Sequence, residues 1–382
     1  MIFNPIGKTG LEASALGFGS MRLPMTDIGN MEFVDLDRAV EVIRHALDVG
    51  VNYIDCGFQY CNFQSEIAVG RALRGRRDQV IVTGKATKTR MFNPGDMRRM
   101  LEHQLERLEI DYFDFYGFHG ISWDRLHSID EETGWLDEMH RAKEEGLFKR
   151  MCFSFHDDPE NIQKFVDLGW FDLLICQYNY LDRKNEEGMA YAAEKGMGVC
   201  VMGPVGGGRL STLPLPVQER LGIDEAQAVS LALRFVLSNP SVSIALSGMG
   251  SEEMVDQNLA TVSEGALSDG ERGDLVKLLE KLEGMAELYC TGCNYCAPCP
   301  HDVSIAKRFE LMNQHRVWGE TEKARSGYRE LMAKESEGEC EECGECLKKC
   351  PQEIPIIDQL KETAAVLGGV GGVQQFYKGK MR

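Results

Sequence analysis

From the first residue to about 275, short β-branched runs alternate with amphipathic helical segments. DLDRAVEVIRHALDVG illustrates the unit. Asp35 is a cap, Ala39, Val42, Ile43, Ala46 and Leu47 form one apolar stripe, and Gly50 ends the helix. VNYID follows as a strand. A later helix is expected to open with Asn93 as cap and Pro94 in its first turn, with Met97, Met100, Leu101, Leu105 and Leu108 inward. Strands are predicted near 14–18, 51–55, 80–84, 112–118, 149–153, 172–176, 197–202 and 241–246. Eight strand–helix units point to an α/β fold, a closed (β/α)8 TIM barrel. The alternative is an open doubly wound sheet, weakened by the lack of a GxGxxG turn after the first strand. FNPIGKTGLEAS reads as a hairpin in front of the barrel.

The pattern changes near residue 266, which gives an expected barrel over 1–266 and connecting helices over 267–287. The density of cysteines then jumps, in runs starting at Cys290 and Cys340, so a small all-helical, ferredoxin-like iron–sulfur domain is expected over 288–358 and a C-terminal tail over 359–382. Within the third segment, Ile305, Phe309 and Met312 share one helical face, as do Tyr328, Leu331 and Met332. The tail contains VLGGVGGV, which fits no element pattern.

Two cysteine runs frame that third segment. CTGCNYCAPCP holds Cys290, Cys293, Cys296 and Cys299, and CEECGECLKKCP holds Cys340, Cys343, Cys346 and Cys350. Bacterial ferredoxins carry C-x2-C-x2-C-x3-C-P, with the fourth cysteine ligating the other cluster. The second run fits, and the first is one residue shorter before its last cysteine. By that pattern Cys290, Cys293, Cys296 and Cys350 hold one [4Fe-4S] cluster, and Cys340, Cys343, Cys346 and Cys299 hold a second. Structural zinc is the competing reading of C-x2-C pairs, but it leaves the proline after each fourth cysteine without a role. The other cysteines, Cys56, Cys61, Cys152, Cys176 and Cys200, lie in or beside strands and read as small core residues. Cys56 and Cys61 flank the reactive stretch described next.

In a barrel of this kind, chemistry sits at the C-terminal ends of the strands. There the chain places Asp55, Lys85, His119, Ser154 and Gln177, with Tyr60 in the loop after Asp55. A tyrosine hydroxyl titrates near ~10 and is a weak acid at neutral pH. A neighbouring ammonium is expected to lower that value, an aspartate to orient the lysine, and a histidine to orient a substrate oxygen. Such a group delivers a proton to a carbonyl oxygen as hydride reaches the carbon. A buried Asp–Lys pair that merely closes the barrel mouth is the plainer alternative. His156, Met21, Phe58, Phe92 and Trp123 are candidate pocket walls.

IGKTGLEASALGFGSMRL and NYIDCGFQYCNFQSEIAVGRAL resemble the aldo-keto reductases, across roughly residues 1–275. The whole chain resembles the iron–sulfur members of that group. The resemblance implies a catalytic tetrad of Asp55, Tyr60, Lys85 and His119, and a nicotinamide cofactor held by Ser154, Gln177 and Asn258. Met202 stands where an aromatic usually stacks, and Phe155 where an asparagine follows the serine. Gly248 and Met254 occupy the positions of the cations that often grip the 2′-phosphate of NADP, so NADP and NAD both stay open, and a flavin as well. Arg209 is a candidate replacement cation. Gly203, Pro204 and Gly206, in GPVGGGRL, suit close backbone approach to a pyrophosphate.

Composition limits the partners. Net charge is −18, and no long basic cluster appears, which argues against nucleic acid or an anionic membrane as main partner. No run is long and apolar enough to span a bilayer. The N terminus lacks a signal-peptide layout, so thirteen cysteines read as thiolates in a reducing cytoplasm. The expected substrate is a small carbonyl or alcohol, with a redox protein as electron partner. Hydride carries two electrons, whereas each cluster takes one, and no flavin motif that would bridge them is readable. An ordinary reductase with a structural or redox-sensing cluster domain is therefore one alternative. A non-catalytic nucleotide sensor is the other.

Overall fold

The computed structural model describes residues 1–28, 31–87, 90–211, 218, 223, 225–280, 290, 292, 294–316, 320–334, 336–350 and 354–368. Contacts divide the chain into two units. The first comprises Met1–Val205 and Val229–Arg272, and the second Gly206–Ala228 with the chain from Gly273 onward.

In the first unit, β1 (Phe3–Pro5) and β2 (Glu12–Ser14) form the expected hairpin, with Phe3 opposite Ser14. Next come β3 (Leu16–Gly19), β4 (Met25–Ile28), β5 (Met31–Val34), β6 (Tyr53–Asp55), β7 (Ile81–Thr87) and β8 (Phe113–Ile121). They are followed by β9 (Phe148–Phe155), β10 (Leu173–Gln177), β11 (Gly198–Met202) and β12 (Ile244–Ser247). The barrel closes in the order β10-β11-β12-β3-β6-β7-β8-β9, all parallel, so the open-sheet alternative is excluded. The eight barrel strands overlap the eight predicted ones. The antiparallel β4–β5 pair was not anticipated.

Side chains from the strand starts fill the lower barrel. Tyr53, Ile81, Phe115, Cys152, Leu173, Cys200 and Ile244 pack with Ile6 and Ala13 of the hairpin, which closes that end. Backbone bonds fasten the plug, with Lys8 N–H donating to Gly196 O at 2.8 Å. Chemistry is thereby left to the opposite rim.

The helix Leu36–Asp48 forms as expected, with the Asp35 carboxylate accepting from Arg38 N–H. The helix Asp96–Leu108 does not begin as expected. Its cap is Gly95 at φ 86°, and Asn93 and Pro94 stay outside. The Asp96 carboxylate takes the Phe92 and Asn93 N–H groups at 2.8 Å each, which folds that approach into a turn before the helix can start.

In the second unit, helices Ile305–Arg316, Thr321–Met332 and Ile356–Leu367 surround an apolar core of Ile305, Phe309, Met312, Tyr328, Leu331, Ile356, Leu360, Ala364 and Leu367. The expected boundary at 358 falls inside the last of these helices. Its IIDQLKETAAVL pattern buries Ile356, Leu360, Thr363, Ala364 and Leu367, so residues 359–367 are core rather than tail. The VLGGVGGV stretch beyond 368 lies outside the described residues.

A buried ion pair ties the start of this unit's spacer to its end. Arg308 and Glu337 are each 2% exposed and meet at 2.8 Å. Arg308 also donates to Gly338 O at 2.7 Å, Ser304 N–H donates to Glu337, and Gly338 N–H donates to Asp302 O. The clamp brings Asp302, just past the first cysteine run, against Gly338, just before the second. Replacing Arg308 by Met leaves the Glu337 carboxylate buried and unpaired. A loss of about 3–5 kcal/mol is expected in denaturant unfolding of the second unit.

Candidate active site and cysteine centre

Adjacent strands deliver the reactive groups. Asp55 ends β6, Lys85 lies two residues before the end of β7, and His119 two before the end of β8. Register places Asp55 beside Thr83 and Lys85 beside Gly117, so the side chains converge across neighbouring strands. The Lys85 ammonium donates to both Asp55 oxygens at 2.6 Å and to Cys56 O at 2.9 Å. It reaches the Tyr60 hydroxyl at 3.4 Å, and that hydroxyl donates to Asp55 Oδ2 at 3.5 Å. The His119 ring stands edge-on to the Tyr60 ring at 5.4 Å. Lys85 is 1% and Asp55 4% exposed, so the pair is sealed from water.

Charge at the site runs differently from the expectation. Burial raises the Tyr60 hydroxyl well above its ordinary value, and the Asp55 carboxylate pushes it further. The Lys85 charge is committed to both oxygens of Asp55 and does not reverse that rise. Burial likewise raises the Asp55 carboxyl, against the opposing pull of Lys85. Tyr60 is therefore held in its protonated form, the form that can give up a proton.

Gly57 was missed by sequence reasoning. A Cβ there would lie 2.7 Å from Tyr60 Cζ, so the ring rests flat on bare backbone. Cys56 is fully buried and Cys61 partly so, and burial raises both thiols, which disfavours their thiolate forms. The pocket-wall candidates divide. Phe58 packs on Phe63 and beneath Arg90, Trp123 packs on Phe165 and His127, and Phe92 is 67% exposed. His156 is half-buried, with its N–H bonded to Ile121 O, and Met21 is half-buried with its carbonyl accepting from Cys61 Sγ at 3.3 Å.

Further round the rim, Ser154 and Gln177 are buried at the ends of β9 and β10, and Met202 ends β11 half-buried. Gly203 has φ 65°, and a Cβ there would lie 2.5 Å from Gln177 Nε2. The carboxamide thus occupies a cradle that any side chain would fill. Asn185 donates to Gln177 O at 3.0 Å and Asn179 to Gly203 O at 3.2 Å, which fixes both. Pro204 is buried. Asn258, in the helix Glu252–Glu264, is buried and donates to Ser247 Oγ at 3.0 Å. Gly248 is exposed, and the stem of Arg22 covers the place of its absent side chain. Gly206 opens the short turn Gly206–Ser211, which belongs to the second unit, and the Arg209 side chain lies outside the described residues.

In the second unit, Cys299, Cys340, Cys343 and Cys346 line one small, partly open pocket, with His301, Ile305 and Leu360 among its walls. These are the four cysteines that the crossed ferredoxin pattern groups together. Cys290, Cys296 and Cys350 border the same apolar core, and Cys293 lies outside the described residues. Among the described residues no three His, Cys, Asp or Glu side chains are grouped to hold a single metal ion.

The aldo/keto reductase family model matches residues 15–280. The chain belongs to the aldo/keto reductase family. The 4Fe-4S dicluster domain model matches residues 289–354, which favours the iron–sulfur reading of the cysteines over zinc. L-galactose dehydrogenase of Arabidopsis thaliana is 29% identical over 68% of this chain and 87% of its own. The NADH-specific methylglyoxal reductase of Escherichia coli is 27% identical over 73% of this chain and 98% of its own. An aldo-keto reductase from Bacillus halodurans, solved in its holo form, superposes with a TM-score of 0.61 at 26% identity. It covers 73% of this chain and 96% of its own. Among the described residues no helix is long and apolar enough to cross a membrane.

A proton donor at Tyr60 would work only while protonated, so its raised value predicts a carbonyl-reduction rate that stays constant through neutral and mildly alkaline pH. Rate is lost only as pH rises through that raised value. Asp55→Asn removes the carboxylate that opposes the phenolate and leaves Lys85 facing it, so the alkaline limb of the pH–rate profile moves to lower pH. A limb that stays in place or moves upward contradicts this account.

Proposed function

We propose that the barrel interconverts a small carbonyl compound and its alcohol, using NAD or NADP, and that the second unit carries two [4Fe-4S] clusters that pass single electrons to or from a partner. The observation that carries the first part is the buried Asp55–Lys85 pair with Tyr60 against it and His119 beside it.

In the direction of reduction, the Tyr60 hydroxyl donates its proton to the carbonyl oxygen. Lys85, neutralised by Asp55, holds Tyr60 and stabilises the phenolate left behind. His119 donates a hydrogen bond that orients the oxygen. Ser154 and Gln177 hold the carboxamide of the nicotinamide, with Gln177 fixed in its cradle beside Gly203. Bound there, the nicotinamide supplies the hydride that the carbonyl carbon needs, so hydride and proton together make the alcohol. Asn258 faces the adenine end. Gly248 and Met254 offer no cation to a 2′-phosphate, in keeping with the NADH-specific name of the Escherichia coli relative.

The clusters fall to Cys290, Cys293, Cys296 and Cys350, and to Cys299, Cys340, Cys343 and Cys346. The pocket shared by the latter four supports that grouping. Joining hydride chemistry to one-electron clusters requires a splitter, a flavin bound by this chain or its partner.

Three measurements test the reading. Tyr60→Phe is expected to lower kcat for carbonyl reduction by about 10²–10⁴-fold while nucleotide binding persists. Retention of full turnover would rule out the proton-donor role. Anaerobically purified Cys343→Ser is expected to retain about half of the roughly eight irons of the intact chain; unchanged iron content contradicts the ligand assignment. NADH or NADPH with catalytic flavin is expected to bleach the visible cluster band. A band that only dithionite bleaches means that barrel and clusters are uncoupled in the isolated chain, which points to a missing partner or a structural role.

A further inference from the structure

Directly after Tyr60, three non-glycine residues in succession adopt left-handed backbone conformations. Cys61, Asn62 and Phe63 have φ of 49°, 53° and 65°. Such conformations are strained for non-glycine residues and persist only where their surroundings over-determine them. Here the turn is gripped from two sides. From outside, Asn62 Nδ2 donates to Glu32 O at 3.2 Å, and Gln64 Oε1 accepts from Val34 N–H at 3.0 Å, both on β5. From inside, Arg107 Nη2 donates to Phe63 O.

Arg107 is itself anchored. Its Nε donates to Glu66 Oε2 at 2.8 Å, and Glu66 is fully buried. The other Glu66 oxygen accepts from Gln104 Nε2 at 2.6 Å. The same Gln104 amide donates to the backbone carbonyl of Lys85 at 3.3 Å, and its oxygen accepts from the Tyr116 hydroxyl at 2.6 Å. A buried carboxylate is costly unless paired and bonded on both oxygens, and Glu66 meets that condition. The network touches both halves of the proton-donor pair, the turn behind Tyr60 and the strand behind Lys85.

We propose that Glu66 and Arg107 form a positioning pair for the proton donor: Arg107 locks the left-handed turn that aims Tyr60, and Glu66, through Gln104, ties that turn to the backbone of Lys85. The pair thus sets the 3.4 Å approach of the hydroxyl to the ammonium. Neither residue touches substrate. The inference rests on the assignment of Tyr60 as proton donor.

Arg107→Lys and Glu66→Gln test it. A lysine ammonium lacks the fork that serves Glu66 and Phe63 O together. In either variant kcat is expected to fall about tenfold or more, with the substrate KM and nucleotide affinity within about twofold, because misplacement near 1 Å costs on the order of 10²-fold. The solvent deuterium isotope effect on kcat is expected to rise as proton transfer becomes limiting. Independently of activity, the 19F resonance of 3-fluorotyrosine at Tyr60, assigned by its loss in Tyr60→Phe, is expected to shift and broaden. The resonance of Tyr328 in the second unit stays in place. An unmoved Tyr60 resonance, or a kcat loss matched by lost folded protein, overturns the proposal. If Glu66→Gln fails to fold, Arg107→Lys decides. Should Tyr60→Phe retain turnover while the resonance still moves in Arg107→Lys, the proton-donor assignment fails and the geometric coupling stands.

Discussion

Everything at the barrel mouth depends on one ammonium group held between two oxygens of one carboxylate. Lys85 and Asp55 are both removed from water, and each alone would be expensive to bury. Together they make a neutral unit, oriented by the Cys56 carbonyl as third acceptor. That neutrality decides how Tyr60 behaves. With its charge committed to Asp55, the lysine leaves the tyrosine protonated, while staying near enough to support a phenolate when the proton departs. The groups therefore make a reservoir of acid rather than a standing base. The rest of the rim serves to keep that arrangement rigid: bare backbone under the ring at Gly57, the gripped turn after it, and the strand register that sets β6, β7 and β8 side by side.

Much of this was readable before any coordinates. The barrel was legible because buried parallel strands need short β-branched runs, and the helices between them need one apolar stripe. The meeting of Asp55, Tyr60, Lys85 and His119 was legible because they lie at or just after the ends of neighbouring strands, which the barrel brings to one rim. The direction of the Tyr60 shift was not, since it depends on burial and on where Lys85 spends its charge. Glu66, Gln104 and Arg107 were hidden for a similar reason. Nothing local says that a glutamate in SEIAVGRAL faces inward and meets residues about forty positions away. Gly95 stands at the cap in place of Asn93 because the Asp96 carboxylate binds the Phe92 and Asn93 N–H groups and holds that stretch in a turn outside the helix. The β4–β5 pair was missed although a Gly-Asn step separates two short alternating runs.

The second unit shows the same division. Cysteine spacing announced an iron–sulfur domain, and the fold brings Cys299, Cys340, Cys343 and Cys346 to one pocket. The Arg308–Glu337 clamp left no trace in the spacing, being a contact between two charged residues in a segment full of them. The glycines past 368 drew attention from the helix before them, whose apolar face completes the core.

The N-terminal hairpin that plugs the lower barrel has a practical bearing. Because Ile6 and Ala13 seat the start of the chain under the strand origins, a tether fused there leads away from the closed end. Within the first unit, a support attached through that tether would meet the closed end rather than the strand ends that carry Asp55, Lys85 and His119.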